Sequence, residues 1–291
     1  MIPPTSIDGT DITGATIDNQ EVQEITVDGD VVFSAGPEPG THFYFGNKNA
    51  DELQHFVCST PYDLSTISLT SSINSNFPKH TLSPDGTRLW LSDDDSTTVE
   101  QYDLPTPYNL NGATNRVDFT GFAGGFDITH DFAQGGTVFI RGDTLSNGYE
   151  DYTLSTPFDL STRTKRNSFV QLPQSQGRQG AGFVFNADGT RVIYGEINQT
   201  EVFQSTLSTP FDFSTATFDK SFTPNTQDPG FLAISNDGNT LFVQHFTPTE
   251  TAVYDLASPF DIGNPTLTGT FTPQGATTAV QISFNGKPHQ V

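Results

Sequence analysis

The chain has 291 residues and carries 34 Asp and Glu against 12 Lys and Arg, a formal net charge of -22. Phosphate contacts need clustered Lys and Arg, so this balance excludes nucleic-acid binding as the default reading, and no apolar run of about 18 residues is present to insert into a bilayer. One cysteine excludes an internal disulfide framework, while 25 Phe, one Met, 26 Gly and 19 Pro favour short strands joined by tight turns over helical bundles.

Residues 1–36 come first and repeat every ten residues, at Ile7-Asp8-Gly9, Ile17-Asp18-Asn19 and Val27-Asp28-Gly29. Alternation through Val22-Gln23-Glu24-Ile25-Thr26-Val27 and Val31-Val32-Phe33 predicts short strands around those turns. The opening Met1-Ile2-Pro3-Pro4 lacks the basic and apolar stretches of a secretory signal. This segment holds seven acidic residues, no Lys and no Arg. It is too short to bury a core alone, so it reads as an anchoring arm that docks on a partner through Ile7, Ile17, Val27, Val31 and Phe33. Pro37-Glu38-Pro39-Gly40 is a linker by composition.

From residue 41 onward two markers interleave. A Pro-aryl motif recurs as Thr60-Pro61-Tyr62-Asp63, Thr106-Pro107-Tyr108-Asn109, Thr156-Pro157-Phe158-Asp159, Thr209-Pro210-Phe211-Asp212 and Ser258-Pro259-Phe260-Asp261, with proline spacings of 46, 50, 53 and 49. Between them fall Asp85-Gly86, Gly135-Gly136, Asp188-Gly189, Asp237-Gly238 and a degenerate Asn285-Gly286. Asp-Gly between apolar runs is a hairpin turn, because Gly takes the positive φ and Asp caps the backbone. In the second motif Pro presets φ and the following Asp or Asn bonds its own backbone. Each unit then reads as four short strands, which is a propeller blade. The first unit, at Thr41-His42-Phe43-Tyr44-Phe45, has no inner strand before it, and Ala279-Val280-Gln281-Ile282-Ser283-Phe284 at the other end is an inner strand with almost nothing after it. Joined, they complete one blade. The expected fold is all-β: a five-bladed β-propeller over 41–291, closed by its N- and C-terminal strands and preceded by the β-rich arm.

Two resemblances follow from these residues. Leu82-Ser83-Pro84-Asp85-Gly86-Thr87-Arg88-Leu89-Trp90 and Asn186-Ala187-Asp188-Gly189-Thr190-Arg191-Val192 resemble the element of bacterial propeller repeats related to the WD and lactonase types. Ser6-Ile7-Asp8-Gly9-Thr10-Asp11-Ile12 through Val31-Val32-Phe33 resembles the N-terminal modules on structural proteins of tailed viruses and prophages. In those, the leading module docks onto the particle and the remainder projects outward. Asp outnumbers Glu 25 to 9, and Lys numbers only five. Self-repulsion at this charge is relieved at molar salt, where the Debye length is about 3 Å, so the composition suits brine and directs the second resemblance to viruses of halophilic archaea.

Candidate chemistry is sparse. Cys58 occupies the slot of Leu104, Leu154, Leu207 and Leu256 and reads as a small buried hydrophobe. The six histidines show no zinc-ligand spacing, and no cofactor is expected. Asp93, Asp94 and Asp95 could offer oxygen ligands to Ca²⁺, but they lack the spacing of a calcium loop and read first as a solvated loop. Asp85, Asp188 and Asp237 repeat at turns and are assigned there. The Gly-rich segments leading into the inner strands could form a shallow polar pocket for a glycan, using Arg178, Gln179, Asp228, Gln274 and Asp127. Glycoside hydrolysis would need two opposed carboxylates about 5 to 9 Å apart, and only Asp127 is acidic among the residues opening the inner strands. The leading expectation is a non-enzymatic structural protein of the virion. The arm would bind other virion proteins, the chain would self-associate in the particle, and the propeller would meet a host-surface glycan or protein. Neither nucleic acid nor membrane insertion is expected. The runner-up is a lectin-like or glycosidase-like extracellular propeller.

Overall fold

A computed structural model describes residues 39–47, 50–75, 79–92, 97–122, 127–143, 148–174, 182–196, 199–225, 228–245, 250–272 and 279–285, together with six short strands between Thr5 and Ser34. The chain divides into two units, Met1–Glu38 and Pro39–Val291. In the first, Thr5–Ile7 pairs with Thr10–Ile12, Thr16–Ile17 with Gln20–Glu21, and Glu24–Val27 with Asp30–Ser34. Each pair is a two-stranded sheet by itself, one for each ten-residue repeat.

The second unit is a five-bladed β-propeller of four-stranded antiparallel sheets. From axis to rim, blade I is Ala279–Phe284, His42–Asn47, Glu52–Cys58 and Ile67–Asn74. Blade II is Lys79–Leu82, Arg88–Ser92, Val99–Asp103 and Thr114–Phe119. Blade III is Asp127–Ala133, Val138–Asp143, Gly148–Leu154 and Arg163–Val170. Blade IV is Phe183–Phe185, Arg191–Tyr194, Val202–Leu207 and Ala216–Phe222, and blade V is Pro229–Ile234, Thr240–His245, Thr251–Asp255 and Thr266–Phe271. Blade I combines the two ends of this unit, with Ser283 opposite Tyr44 and Ile282 opposite Phe45, as the sequence predicts.

The inner strands of each blade are buried on both faces while the outermost strands are largely exposed, so the core is split into five apolar seams. Tyr44 and Leu53 meet Leu89 and Leu104 between blades I and II. Trp90 meets Phe132 and Phe139 between II and III, and Tyr149 meets Phe183 and Phe213 between III and IV. Val184 and Ile193 meet Leu232 and Val243 between IV and V. Phe242 meets Phe43, Phe45 and Cys58 between V and I. Each fully buried Leu or Phe contributes about 1.5–3 kcal/mol. Cys58 lies in this last core, and burial pushes its thiol up to about 11.

The two sequence markers form one physical unit. In blade IV, Asn186 Oδ1 accepts from Arg191 N at 2.9 Å, and Asp188 Oδ1 accepts from Thr190 N at 2.9 Å. Gly189 has φ 69°, and a Cβ there would lie 2.4 Å from the Phe211 ring. Phe211 N in turn donates to Gly189 O at 3.0 Å. Tyr62, Tyr108, Phe158, Phe211 and Phe260 all have φ between 53 and 60-odd degrees, at the position where a type II turn normally asks for Gly. That conformation costs an L-residue about 1–2 kcal/mol, offset by the ring packing on the neighbouring glycine. Glycine and aryl group therefore recur with one period because each needs the other. The Asp that follows caps the next turn: Asp63, Asp159 and Asp212 accept from Ser65, Ser161 and Ser214 N, each at 2.9 Å.

In blade I the turn glycine is Gly40. Tyr62 N donates to Gly40 O at 2.9 Å and the Tyr62 ring covers Gly40. The sequence reading gives this place to Gly286, the next glycine along the chain after Asn285. Closure of the ring instead brings Gly40, counted by composition with the linker, onto Asn285.

Candidate functional site

Antiparallel order sends both turn families of every blade to one end of the ring. The opposite end collects the connectors that lead into the inner strands, at 75–78, 120–126, 171–182, 223–228 and 272–278. The turn end uses the same residues five times over. The connector end has no motif or length common to all five blades, although Phe222-Thr223-Pro224-Asn225 and Phe271-Thr272-Pro273-Gln274 match. It is therefore where the sequence is freest to encode contacts particular to each blade.

Along the inner strands, the axis is polar on one side and apolar on the other. His80 Nε2 lies 2.8 Å from Ser283 Oγ, tying blade II to blade I. Thr81 Oγ1 donates to Asp131 Oδ1 at 2.7 Å, and Ser92 Oγ lies 3.1 Å from His130 Nδ1, tying blade II to blade III. His130 Nε2 faces Trp90 O at 3.4 Å. Blades IV and V put Phe183, Val184, Leu232 and Ala233 in this layer instead. Asp131 is a buried inner-strand carboxylate that the sequence reading passed over. Its signal was Thr129-His130-Asp131 standing where blade IV reads Gly182-Phe183-Val184.

Charges are also buried in blade III. Arg141 and Glu150, opposite each other on neighbouring strands, have fully buried side chains with Nη1 and Oε1 3.4 Å apart. Lys165 Nζ reaches the other Glu150 oxygen at 2.7 Å, and the guanidinium groups of Arg141 and Arg163 lie 5.6 and 4.6 Å from the Phe122 ring centroid. A buried carboxylate is tolerated here because two cations share it. Nothing in the spacing of these strands, which also carry Asp143 and Asp151, marks the pair.

Of the residues predicted for a pocket, Arg178, Gln179 and Gln274 lie outside the described residues, as do Asp93, Asp94 and Asp95. Asp127 is placed by backbone pairing opposite Asp143. Asp228 is half-buried with φ 58°, and its N donates to Gln199 O at 3.1 Å, just ahead of the inner strand of blade V. Asp85, Asp188 and Asp237 are turn caps, bonded to Thr87, Thr190 and Asn239 N. Ile7, Ile17, Val27, Val31 and Phe33 fall on the arm's paired strands. Among the described residues, no group of three His, Cys, Asp or Glu is arranged to hold a metal ion.

No protein-family model matches the chain, and no curated protein matches its sequence. Among solved structures it is similar to a chain of a nidogen–laminin complex, at 12% identity and TM-score 0.53 over 84% of this chain and 98% of that one. It is also similar to a protein of unknown function from Desulfotomaculum acetoxidans, at 12% identity and TM-score 0.51 over 80% of each chain. A third is a provisionally assigned 6-phosphogluconolactonase from Bacteroides uniformis, at 13% identity and TM-score 0.50 over 86% of this chain and 74% of that one. At such identities what is shared is the propeller fold.

Proposed function

We propose that the protein is a non-enzymatic structural and display component of a tailed-virus particle, docked by its arm and presenting the connector end of the ring for surface or receptor contacts. The observation that carries this reading is the arm's construction from three separate two-stranded sheets. An isolated two-stranded hairpin is marginal in water, so such a segment gains its stability by adding strands or side chains of a partner. The likeness of its ten-residue repeat to the leading modules of tailed-virus structural proteins supports a particle as that partner, and the Asp-rich, Lys-poor composition supports a halophilic setting.

The test is deletion of residues 2–36. The ring's melting curve is expected to stay as it is, and the deleted protein is expected to be missing from purified particles when their proteins are counted by mass spectrometry. Assembly at normal copy number would overturn the docking role. Specific binding on a glycan array by a chain found in no particle would favour a lectin-like propeller instead.

A further inference from the structure

At each seam on the turn side of the ring, the residue capping the Pro-aryl turn of one blade faces the preceding blade. Between blades IV and V, Lys220 Nζ donates to Asp261 Oδ1 at 2.9 Å, and Arg191 also acts on that carboxylate. Between III and IV, Asn167 Nδ2 donates to Asp212 Oδ1 at 3.1 Å, with the Arg166 charge close by. Between II and III, Arg88 faces Asp159. Between I and II the cap is Asn109, which carries no charge to answer.

The seam from blade V to blade I breaks this rule. Strand register fixes the counterparts: Lys220 sits opposite Gln204 and Asn167 opposite Asp151, and the same place in blade V, opposite Val253, holds Gly269. The first residue of the second strand is Arg88 in blade II and Arg191 in blade IV, but Thr240 in blade V. Blade III is neutral at the same two places, with Val138 and Asn167, but brings Arg166 from the residue before Asn167. Blade V is neutral at both and holds Thr268 in the place of Arg166, so no cation of blade V faces Asp63. Asp63 accepts from Ser65 N at 2.9 Å and Ser65 Oγ at 2.6 Å, bonds that hold its carboxyl below the usual range. Among the described residues it pairs with no Lys or Arg. What remains is a groove of about 500 Å³ lined by Tyr62, Asp63, Thr240, Val253, Asp255 and Gly269. A Cβ built on Gly269 meets nothing within 4 Å.

We propose that this groove is a docking site for a lysine side chain of a partner polypeptide, its ammonium seated on Asp63 where Lys220 is seated on Asp261 one seam away. The neighbouring seams supply the template for the missing group. Val253 and the Tyr62 ring offer apolar surface to the lysine stem, which buries its methylenes while the head stays with the carboxylate. Asp255, on the same wall, adds a second negative charge. Lysine is scarce in this chain, five in 291 residues, so the partner is a different, lysine-bearing protein, and the contact is the short-range kind that screening leaves largely intact. The inference concerns the ring alone and stands independently of the arm's role.

The probe is the blocked pentapeptide Gly-Ser-Lys-Ser-Gly, titrated into the full chain at low ionic strength beside the same peptide with its lysine acetylated. The lysine peptide is expected to bind and the acetylated one not to. Asp63→Asn is expected to weaken binding about fivefold, the scale of a partly exposed ion pair. Gly269→Lys, which places the chain's own ammonium over Asp63, is expected to abolish binding while the ring melts no lower, and Thr240→Arg offers the same block from the other wall. Equal titration by both peptides, or unchanged binding in a folded Gly269→Lys protein, would overturn the proposal. So would binding that emerges only after residues 286–291 are removed, which would assign the groove to the chain's own Lys287.

Discussion

Blades IV and I make the same hairpin turn by different routes. In blade IV the turn is continuous: Gly189 N donates to Asn186 O at 3.0 Å, Asn186 N to Arg191 O at 3.2 Å, and Arg191 N to Asn186 Oδ1 at 2.9 Å. In blade I its two halves lie at opposite ends of the ring's sequence. Gly40 N donates to Asn285 O at 3.2 Å, Asn285 N to His42 O at 3.1 Å, and His42 N to Asn285 Oδ1 at 3.0 Å. The bonds correspond one for one. The asparagine side chain and the glycine under an aryl ring therefore specify this geometry without help from chain continuity. What blade I lacks is the short loop, so its turn is held only as long as the ring is closed.

The largest difference between the two blades should come from removing residues 279–291. Blade I then loses its inner strand, leaving the apolar row of Phe43 and Phe45 open along an unpaired edge. The truncated chain is expected to aggregate without a cooperative melt. A soluble, cooperatively melting truncation would show that closure does not depend on the pairing.

Next come Gly189→Ala and Gly40→Ala, each placing a Cβ at positive φ about 2.4 Å from a ring carbon of Phe211 or Tyr62. Each is expected to cost roughly 2–4 kcal/mol, the sum of the backbone penalty and overpacking, measured by denaturant unfolding. If the discontinuous turn copies the continuous one, the two losses agree to within about 1 kcal/mol. A silent Gly40→Ala would break the equivalence.

A smaller effect depends on pH. Blade I carries His55 where blade IV carries Gln204, each opposite the corresponding outer-strand position. His55 packs on the Tyr44 ring, centroids 4.8 Å apart, with Nε2 2.8 Å from His42 Nδ1. Burial, then the neighbouring His42, lowers its pKa from 6.5 to about 3. Below pH 6.5 the unfolded chain takes up a proton at this residue and the folded ring does not, so stability falls as pH falls towards 3. The slope approaches about 1.4 kcal/mol per pH unit. His55→Gln should flatten the curve between pH 6.5 and 4.5, above the ordinary carboxylate range. An unchanged slope would move the proton uptake elsewhere.

The smallest expected change is Cys58→Leu. Cys58 N donates to Thr41 O at 2.8 Å as Leu207 N does to Thr190 O at 2.8 Å, so leucine should fit within about 1.5 kcal/mol. In the native protein, with its thiol held near 11, Cys58 should resist alkylation at pH 8. Rapid labelling under native conditions would contradict its burial.

The five blades and their closure were legible because two short motifs recur with one period, and each motif has a local cause in its Pro, Gly or Asp. The positive φ of the aryl residues was not legible, since Phe211 adopts it to cover a glycine 22 positions earlier. Reading along the chain offered Gly286 to the last turn, because nothing local shows that the ring returns Gly40 to Asn285. Arg141 and Glu150 escaped for a similar reason: strand register, not spacing, puts one charge against the other. The connector segment holding Arg178 and Gln179 follows no repeat, and the run holding Gln274 recurs only at Phe222-Thr223-Pro224-Asn225, so the blades give little template for reading them.

The closing turn also makes the ring a candidate for circular permutation. Gly40 N and Asn285 O are 3.2 Å apart, so a short linker could fuse the two ends across that turn without moving a strand. New ends opened between Asp188 and Gly189 would transfer the discontinuous turn to blade IV, whose Asn186 already makes the corresponding bonds. A permutant that folds to the same melting temperature would mean that no blade is privileged as the clasp.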